Sequence, residues 1–164
     1  MKNNPLIIAG SGRSGTTWVL DVLAEANALR TVFEPLNPLE VNEARQFCNR
    51  YVPKNAYEPE LKCFMAKVFN GELNHLWPKV RMISKNMRPS ISQMISWDYN
   101  YALLSKYKKF FKRYIDYRRK KSCRPIIKFI RANLMLDWLT HNFNTRTVFI
   151  VRHPGAVAAS KIAA

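Results

Sequence analysis

Residues 5–23, PLIIAGSGRSGTTWVLDVL, decide the fold of this 164-residue chain. The apolar run Leu6–Ala9 suits a strand that is buried on both faces of a parallel sheet. Gly10, Gly12 and Gly15 then let the backbone turn sharply, and a helix begins near Ser14–Thr17. The helix takes its apolar surface from Trp18, Leu20, Val22 and Leu23. A glycine turn before the free N–H groups of a helix N-terminus predicts an oxyanion site.

The loop at 10–17 nearly matches the P-loop pattern G-x-x-x-x-G-K-[ST], but Thr16 stands at the lysine position. Arg13 is the only cation in the loop, and its guanidinium can reach phosphate or bridging oxygens. The segment GRSGTTW at 12–18 resembles the 5'-phosphosulfate-binding loop of sulfotransferases that use 3'-phosphoadenosine 5'-phosphosulfate (PAPS). This resemblance implies that the donor is bound by Gly12, Arg13, Ser14, Gly15, Thr16 and Thr17. A ligand-free glycine turn and a P-loop kinase remain alternatives.

A second motif follows the apolar run Thr147–Val151, which predicts a buried strand. Arg152 lies at the carboxyl end of that strand, and Ser160 lies about two turns along the next helix, so both can converge on one phosphate. The pattern resembles the sulfotransferase 3'-phosphate motif, in which a strand is followed by R-x-P and then by a helical serine at the spacing of 152 and 160. PAPS carries two separate phosphate groups, so the two motifs support each other. A structural ion pair at Arg152 and a packing role for Ser160 are the alternatives.

Glu34 follows a second predicted strand at Leu29–Phe33, and prolines at 35 and 38 end regular structure there. At the carboxyl end of a parallel strand, Glu34 faces the ligand crevice beside the Arg13 loop. The phrase FEPLNP resembles the segment after strand two in carbohydrate and related sulfotransferases. The resemblance implies that Glu34 is the catalytic base and that Arg13 stabilises the leaving phosphate. A solvated glutamate at a strand end is the alternative.

The remaining elements are predicted from composition and periodicity. Residues 39–52 and 58–73 have helical composition, and Ile126–Ile130 forms a third strand. The helix Ala132–His141 then follows, and the run KFIRANLMLDWL resembles the corresponding strand and helix of bacterial and carbohydrate sulfotransferases. Its inward residues are predicted to be Leu134, Met135, Trp138 and Leu139.

Positive charge is concentrated in the middle of the chain. The whole sequence carries 27 Lys and Arg and 11 Asp and Glu, a net charge of +16. Residues 79–131 hold 16 of the cations and two acidic residues, a net charge of +14. Apolar residues recur at helical spacing over 99–121, which predicts an amphipathic helix with a basic outer face. A solvated face and a rim that attracts an anionic acceptor are both open, and no nucleic-acid module is visible.

Cysteine usage and hydropathy exclude several classes of protein. Cys48, Cys63 and Cys123 lie far apart, which indicates buried free thiols instead of disulfides or a zinc site. No apolar run approaches the roughly 18 residues of a membrane span, and the first strand begins without a signal peptide. We therefore expect a cytoplasmic protein if the N-terminus is complete. Because the sequence ends inside a predicted helix, we expect a C-terminally truncated domain over 1–164.

Together these features predict a P-loop-type three-layer α/β fold with a central parallel sheet. The resemblance implies PAPS-dependent sulfuryl transfer to a hydroxyl or amine of an acceptor, such as an anionic glycan or a small hydroxylated molecule. No metal is expected, because a sulfuryl group carries less charge than a phosphoryl group and N–H donors with Arg13 can stabilise it. A P-loop kinase or hydrolase, a non-catalytic basic anion-binding module and an inactive sulfotransferase fragment are the alternatives.

Overall fold

The computed structural model describes residues 4–80, 108 and 111–163. Its strands are β1 (Leu6–Gly10), β2 (Arg30–Phe33), β3 (Pro125–Phe129) and β4 (Arg146–Ile150). They form one parallel sheet in the order β2-β3-β1-β4. In the register of the central strand, Ile7 pairs with Ile127 on one side and with Thr147 on the other. The predicted α/β fold with a central parallel sheet is confirmed.

Helices alternate with the strands. They are α1 (Thr16–Ala26), α2 (Pro59–Asn70), α3 (Trp77–Val80), α4 (111–119), α5 (Leu136–Phe143) and α6 (Pro154–Ile162). Proline at the first position favours the start of both α2 and α6. The α2 helix ends at Gly71, whose left-handed φ of 75° suits a residue without a Cβ atom.

The sheet is covered by helices on both faces, because successive strand residues point to opposite sides. Ile7 and Ala9 belong to the larger core, together with apolar residues of α2 and α5. Ile8 points the other way and packs with Leu20 and Ala24 of α1. The central strands β1 and β3 are accordingly the most buried. This arrangement gives the three layers of the fold.

The two edges of the sheet differ in their cover. At β2, α3 packs against the strand, and the rings of Phe33 and Trp77 lie 5.5 Å apart edge to face. At β4, four of the five residues are exposed, and Phe149 keeps 53% of its surface. The prediction of a buried strand there was wrong, because among the strands that the structure describes β4 lies at the edge and pairs with β1 alone.

Two predicted helix faces also differ from the structure. Helix α1 buries Thr16, Leu20 and Ala24, which are spaced by four residues, whereas Trp18 is 70% exposed. The face of α1 that packs on the sheet is therefore rotated away from Trp18 and Val22. The prediction that these two residues belong to the apolar surface of the helix was wrong. Leu134 is 55% exposed because it lies in a 3-10 turn, Asn133–Met135, that precedes α5.

The helix predicted at 39–52 is absent from the described structure. Only a 3-10 turn forms there, at Asn42–Gln46, and its flanking residues Val41 and Phe47 are buried. Phe47 packs on Phe64 of α2 with ring centroids 5.3 Å apart, so core contacts fix this segment in place of a helical ladder.

The cysteines are free, as predicted, but they are not all buried. Cys63 is exposed on α2, and Cys48 and Cys123 are half-buried. Helix α2 turns its larger apolar side chains, such as Leu61 and Met65, to the core, which leaves Cys63 outside. Of the predicted basic helix, residues 99–107, 109 and 110 lie outside the described residues.

Candidate anion-binding site

The loop between β1 and α1 forms the sharp turn that the sequence predicted. Gly15 has φ 89° at the N-cap of α1, and no side chain within the described residues caps this helix. Its first N–H groups therefore lack the usual side-chain partner. Ser14 and Thr16 are buried, and the Ser14 hydroxyl donates to the Ser11 carbonyl inside the loop. A helix N-terminus of this kind attracts anions in general, through its N–H groups and the helix dipole.

The two predicted anion motifs contact each other through arginine. Arg13 Nε and Nη2 donate to the Ser160 carbonyl at 3.1 and 2.9 Å. Arg152 Nη1 donates to the Arg13 carbonyl at 2.9 Å. Both guanidinium groups are exposed, so an anion from solvent can reach them. The structure therefore brings Arg13, Arg152 and Ser160 together, although Ser160 takes part through its backbone oxygen.

The start of α6 is stabilised by the residue after Arg152. His153 Nδ1 accepts a hydrogen bond from the Gly155 N–H at 3.2 Å and so caps the helix. This cap fixes the turn between β4 and α6, which holds Arg152 at the end of the strand and Ser160 on the helix.

Glu34 is buried between two cations. It is 3% exposed and has a left-handed φ of 45°. Lys128 Nζ lies 2.8 Å from Oε1, and Arg131 Nη1 donates to Oε2 at 3.1 Å. Glu34 is therefore a paired carboxylate in this structure, which the sequence did not predict.

Strand pairing explains why Lys128 faces Glu34. Phe33 of β2 pairs with Lys128 of β3, so the residue after Phe33 reaches the lysine ammonium. Lys128 Nζ also lies 4.4 Å from the centroid of the Phe33 ring, a cation–π contact. Lys128 is 6% exposed, and a buried lysine requires such partners. The sequence signal for this pair is a lysine inside an otherwise apolar strand.

Asn133 joins the loop to the segment after β3. Its Nδ2 donates to the Gly10 carbonyl at 3.3 Å, while its Oδ1 is buried without a hydrogen-bond partner in the described structure. Buried unpaired polar atoms are rare and often mark functional positions. Asn133 is not among the residues that the sequence predicts for the site, and only its place just after a strand end distinguishes it.

Comparison of the chain with protein-family models, with curated proteins and with solved structures finds no match. Among residues 4–80, 108 and 111–163, no cluster of three or more His, Cys, Asp or Glu side chains is arranged to hold a metal ion. None of the described helices combines the length and the apolar character that a membrane crossing requires. The chemistry of the site therefore has to be inferred from its own geometry.

Proposed function

We propose that this chain is a PAPS-dependent sulfotransferase, which transfers a sulfuryl group to a hydroxyl or amine of an acceptor. The observation that carries the proposal is the contact between the two anion motifs, in which Arg13 bonds to Ser160 and Arg152 bonds to Arg13. A donor with two separate phosphate groups requires two neighbouring anion sites. A nucleoside triphosphatase requires a P-loop lysine and acidic magnesium ligands instead.

Each arginine has a distinct role in the proposed donor site. The N–H groups of the loop and Arg13 bind the 5'-phosphosulfate, and Arg152 with Ser160 binds the 3'-phosphate. In the described structure both guanidinium groups donate to neutral carbonyls. Hydrogen bonds between two charged groups are stronger than these, so a bound phosphate displaces the carbonyls. Donor binding is therefore expected to release Arg13 from Ser160.

The proposed reaction moves one sulfuryl group. The bond between sulfur and the bridging oxygen of the phosphosulfate breaks, and a bond forms between sulfur and the acceptor oxygen or nitrogen. The electron pair of the broken bond stays on adenosine 3',5'-bisphosphate, where Arg13 and the loop N–H groups stabilise the charge. The acceptor proton passes to Glu34. No change in oxidation state is involved.

The burial of Glu34 constrains its proposed role as the base. Accepting a proton weakens its ion pairs with Lys128 and Arg131. Each carboxylate oxygen lies beside a cation, so one of these contacts has to open before Glu34 takes the proton. Because Glu34 is 3% exposed, the acceptor hydroxyl reaches it only after the surrounding side chains move.

The test is calorimetric titration with adenosine 3',5'-bisphosphate, and in parallel with ATP and magnesium. We expect the chain to prefer the bisphosphate. Arg152→Ala is expected to weaken that binding by about 10- to 100-fold, the effect of losing one or two charged hydrogen bonds. Arg146→Ala is the matched control, because it removes an exposed arginine from the opposite end of β4. Its affinity is expected to stay within about twofold of the unmodified chain.

Three results contradict the proposal. Preference for ATP with magnesium indicates a P-loop kinase or hydrolase. Equal losses in Arg152→Ala and Arg146→Ala, with a steep dependence on salt, indicate a non-catalytic basic module. If the folded chain binds neither nucleotide, it has no donor site of the proposed kind.

A further inference from the structure

A pocket of about 350 Å³ lies at the β2 edge of the sheet, between α1, α3 and α4. We call it the edge pocket, and four cationic residues line it: Arg30, Lys79, Arg113 and Lys120. We call the loop at 12–17, which follows β1, the anion loop. In the sheet, β3 lies between β2 and β1. The edge pocket is therefore distinct from the proposed donor site and is independent of the proposed function.

The charges of the edge pocket are only partly compensated. Three carboxylates also line it, and one of them, Glu25, lies 3.9 Å from Lys120. Neither Lys79 nor Arg113 forms an ion pair with a residue that the structure describes. The four cations less the three carboxylates, Asp21, Glu25 and Asp116, leave the described pocket wall with a formal net charge of +1, which favours an anion.

Arg30 adds a third cation without a carboxylate partner among the described residues. It is 2% exposed, and its guanidinium donates to the Phe69 carbonyl and, at 3.3 Å, to the Tyr117 hydroxyl. Its Nε is buried with no hydrogen-bond partner in the described structure. Burial of a guanidinium is costly, and here the Phe69 carbonyl at the end of α2 and the Tyr117 hydroxyl of α4 are neutral and offset only part of that cost. The pocket wall therefore carries buried positive charge.

Tyr117 lies between two of these cations. The Arg30 guanidinium carbon is 5.8 Å and Lys79 Nζ is 5.9 Å from the centroid of its ring. The aromatic face attracts cations, so it holds both at the pocket without neutralising them. Burial, followed by repulsion from Lys121 and Arg118, lowers the pKa of Lys79.

We propose that the edge pocket binds the phosphate or sulfate group of a small ligand. Lys79 and Arg113 contact the oxyanion directly, because they are its two cations without ion-pair partners among the described residues. Arg30 acts behind them as buried positive charge. The pocket volume of about 350 Å³ is sufficient for a small phosphorylated or sulfated molecule.

The test uses inorganic pyrophosphate as the probe and amide NMR shifts of the whole chain as the readout. We expect saturable shifts at 77–80 and 113–120, separate from any shifts in the anion loop at 12–17. The double variant Lys79→Ala/Arg113→Ala is expected to weaken the edge-pocket response by about tenfold or more, from the loss of two charged contacts.

The matched control is Lys112→Ala/Arg119→Ala, which removes the same charge from exposed positions of α4 outside the pocket wall. We expect it to change the edge-pocket affinity by less than about threefold. Equal weakening by both pairs overturns the proposal, because it indicates attraction to the basic surface as a whole. Shifts confined to the anion loop in the unmodified chain also overturn it, and this result does not depend on any variant folding.

Discussion

Glu34→Ala is expected to lower the free energy of unfolding by about 3–5 kcal/mol, because it leaves a buried charge without its partner. Lys128 is 6% exposed, and its ammonium has the Glu34 carboxylate as its ion-pair partner. Arg131 also loses its contact with Glu34, but it is partly exposed and can turn to water. The cost therefore arises mainly at Lys128. Chemical denaturation at neutral pH measures the effect.

Two further variants show whether the ion pair is the cause. Glu40→Ala removes a carboxylate from the same connecting segment, where no described residue forms an ion pair with it, and should change stability by less than about 0.5 kcal/mol. Adding Lys128→Met to Glu34→Ala removes the stranded charge and should recover more than about half of the loss. If the double variant is no more stable than Glu34→Ala, the buried ion pair does not account for the result.

Gly10→Ala is expected to destabilise the fold by about 3 kcal/mol, from overpacking and an unfavourable backbone angle. A Cβ atom at this position would lie 2.6 Å from the Ile150 carbonyl oxygen. That oxygen belongs to the strand that pairs with β1, so it cannot move without disturbing the β1–β4 ladder. Relief of the clash separates the two strands at the end that carries the anion loop and Arg152. We therefore expect bisphosphate binding to weaken as well.

Two other glycines of the loop provide graded controls. At Gly12 the nearest neighbour of a Cβ atom is 3.9 Å away, an ordinary contact, so Gly12→Ala should change stability by less than about 0.5 kcal/mol. At Gly15 there is open space but φ is +89°, so Gly15→Ala should cost about 1–2 kcal/mol from backbone strain alone. Thermal unfolding should show the largest loss of stability for Gly10→Ala, a smaller loss for Gly15→Ala and the smallest loss for Gly12→Ala. A different order contradicts the assignment of the cost at Gly10 to the β4 carbonyl.

Backbone conformation does not by itself mark the proposed site. Arg13 and Glu34, which the resemblance assigns to catalysis, both have left-handed φ values, 67° and 45°. Ala28, Asn49 and Asn144 are left-handed as well, and no role is proposed for them. The sulfuryl donor, the acceptor and the single-domain extent stay predictions.

The parts of the fold that the sequence predicted are those with a strong local signal. The apolar runs in β1 and β3 and the glycine turn before α1 correspond to the observed elements. The faces of helices were harder to predict, because Trp18 and Leu20 are both apolar and only the position of the sheet selects Leu20 for burial. The helix predicted at 39–52 failed for a similar reason, since contacts such as that between Phe47 and Phe64 override helical composition.

The sequence by itself determined the succession of a strand, a glycine turn and a helix N-terminus, because each of these features depends on residues close together in the chain. The tertiary structure alone decided the partners of the charged groups. It placed Lys128 against Glu34 through the register of β2 and β3, and Arg13 against Ser160 through the packing of α6. Such pairs join residues far apart in the chain, and local sequence patterns carry no information about which of many cations reaches a given oxygen.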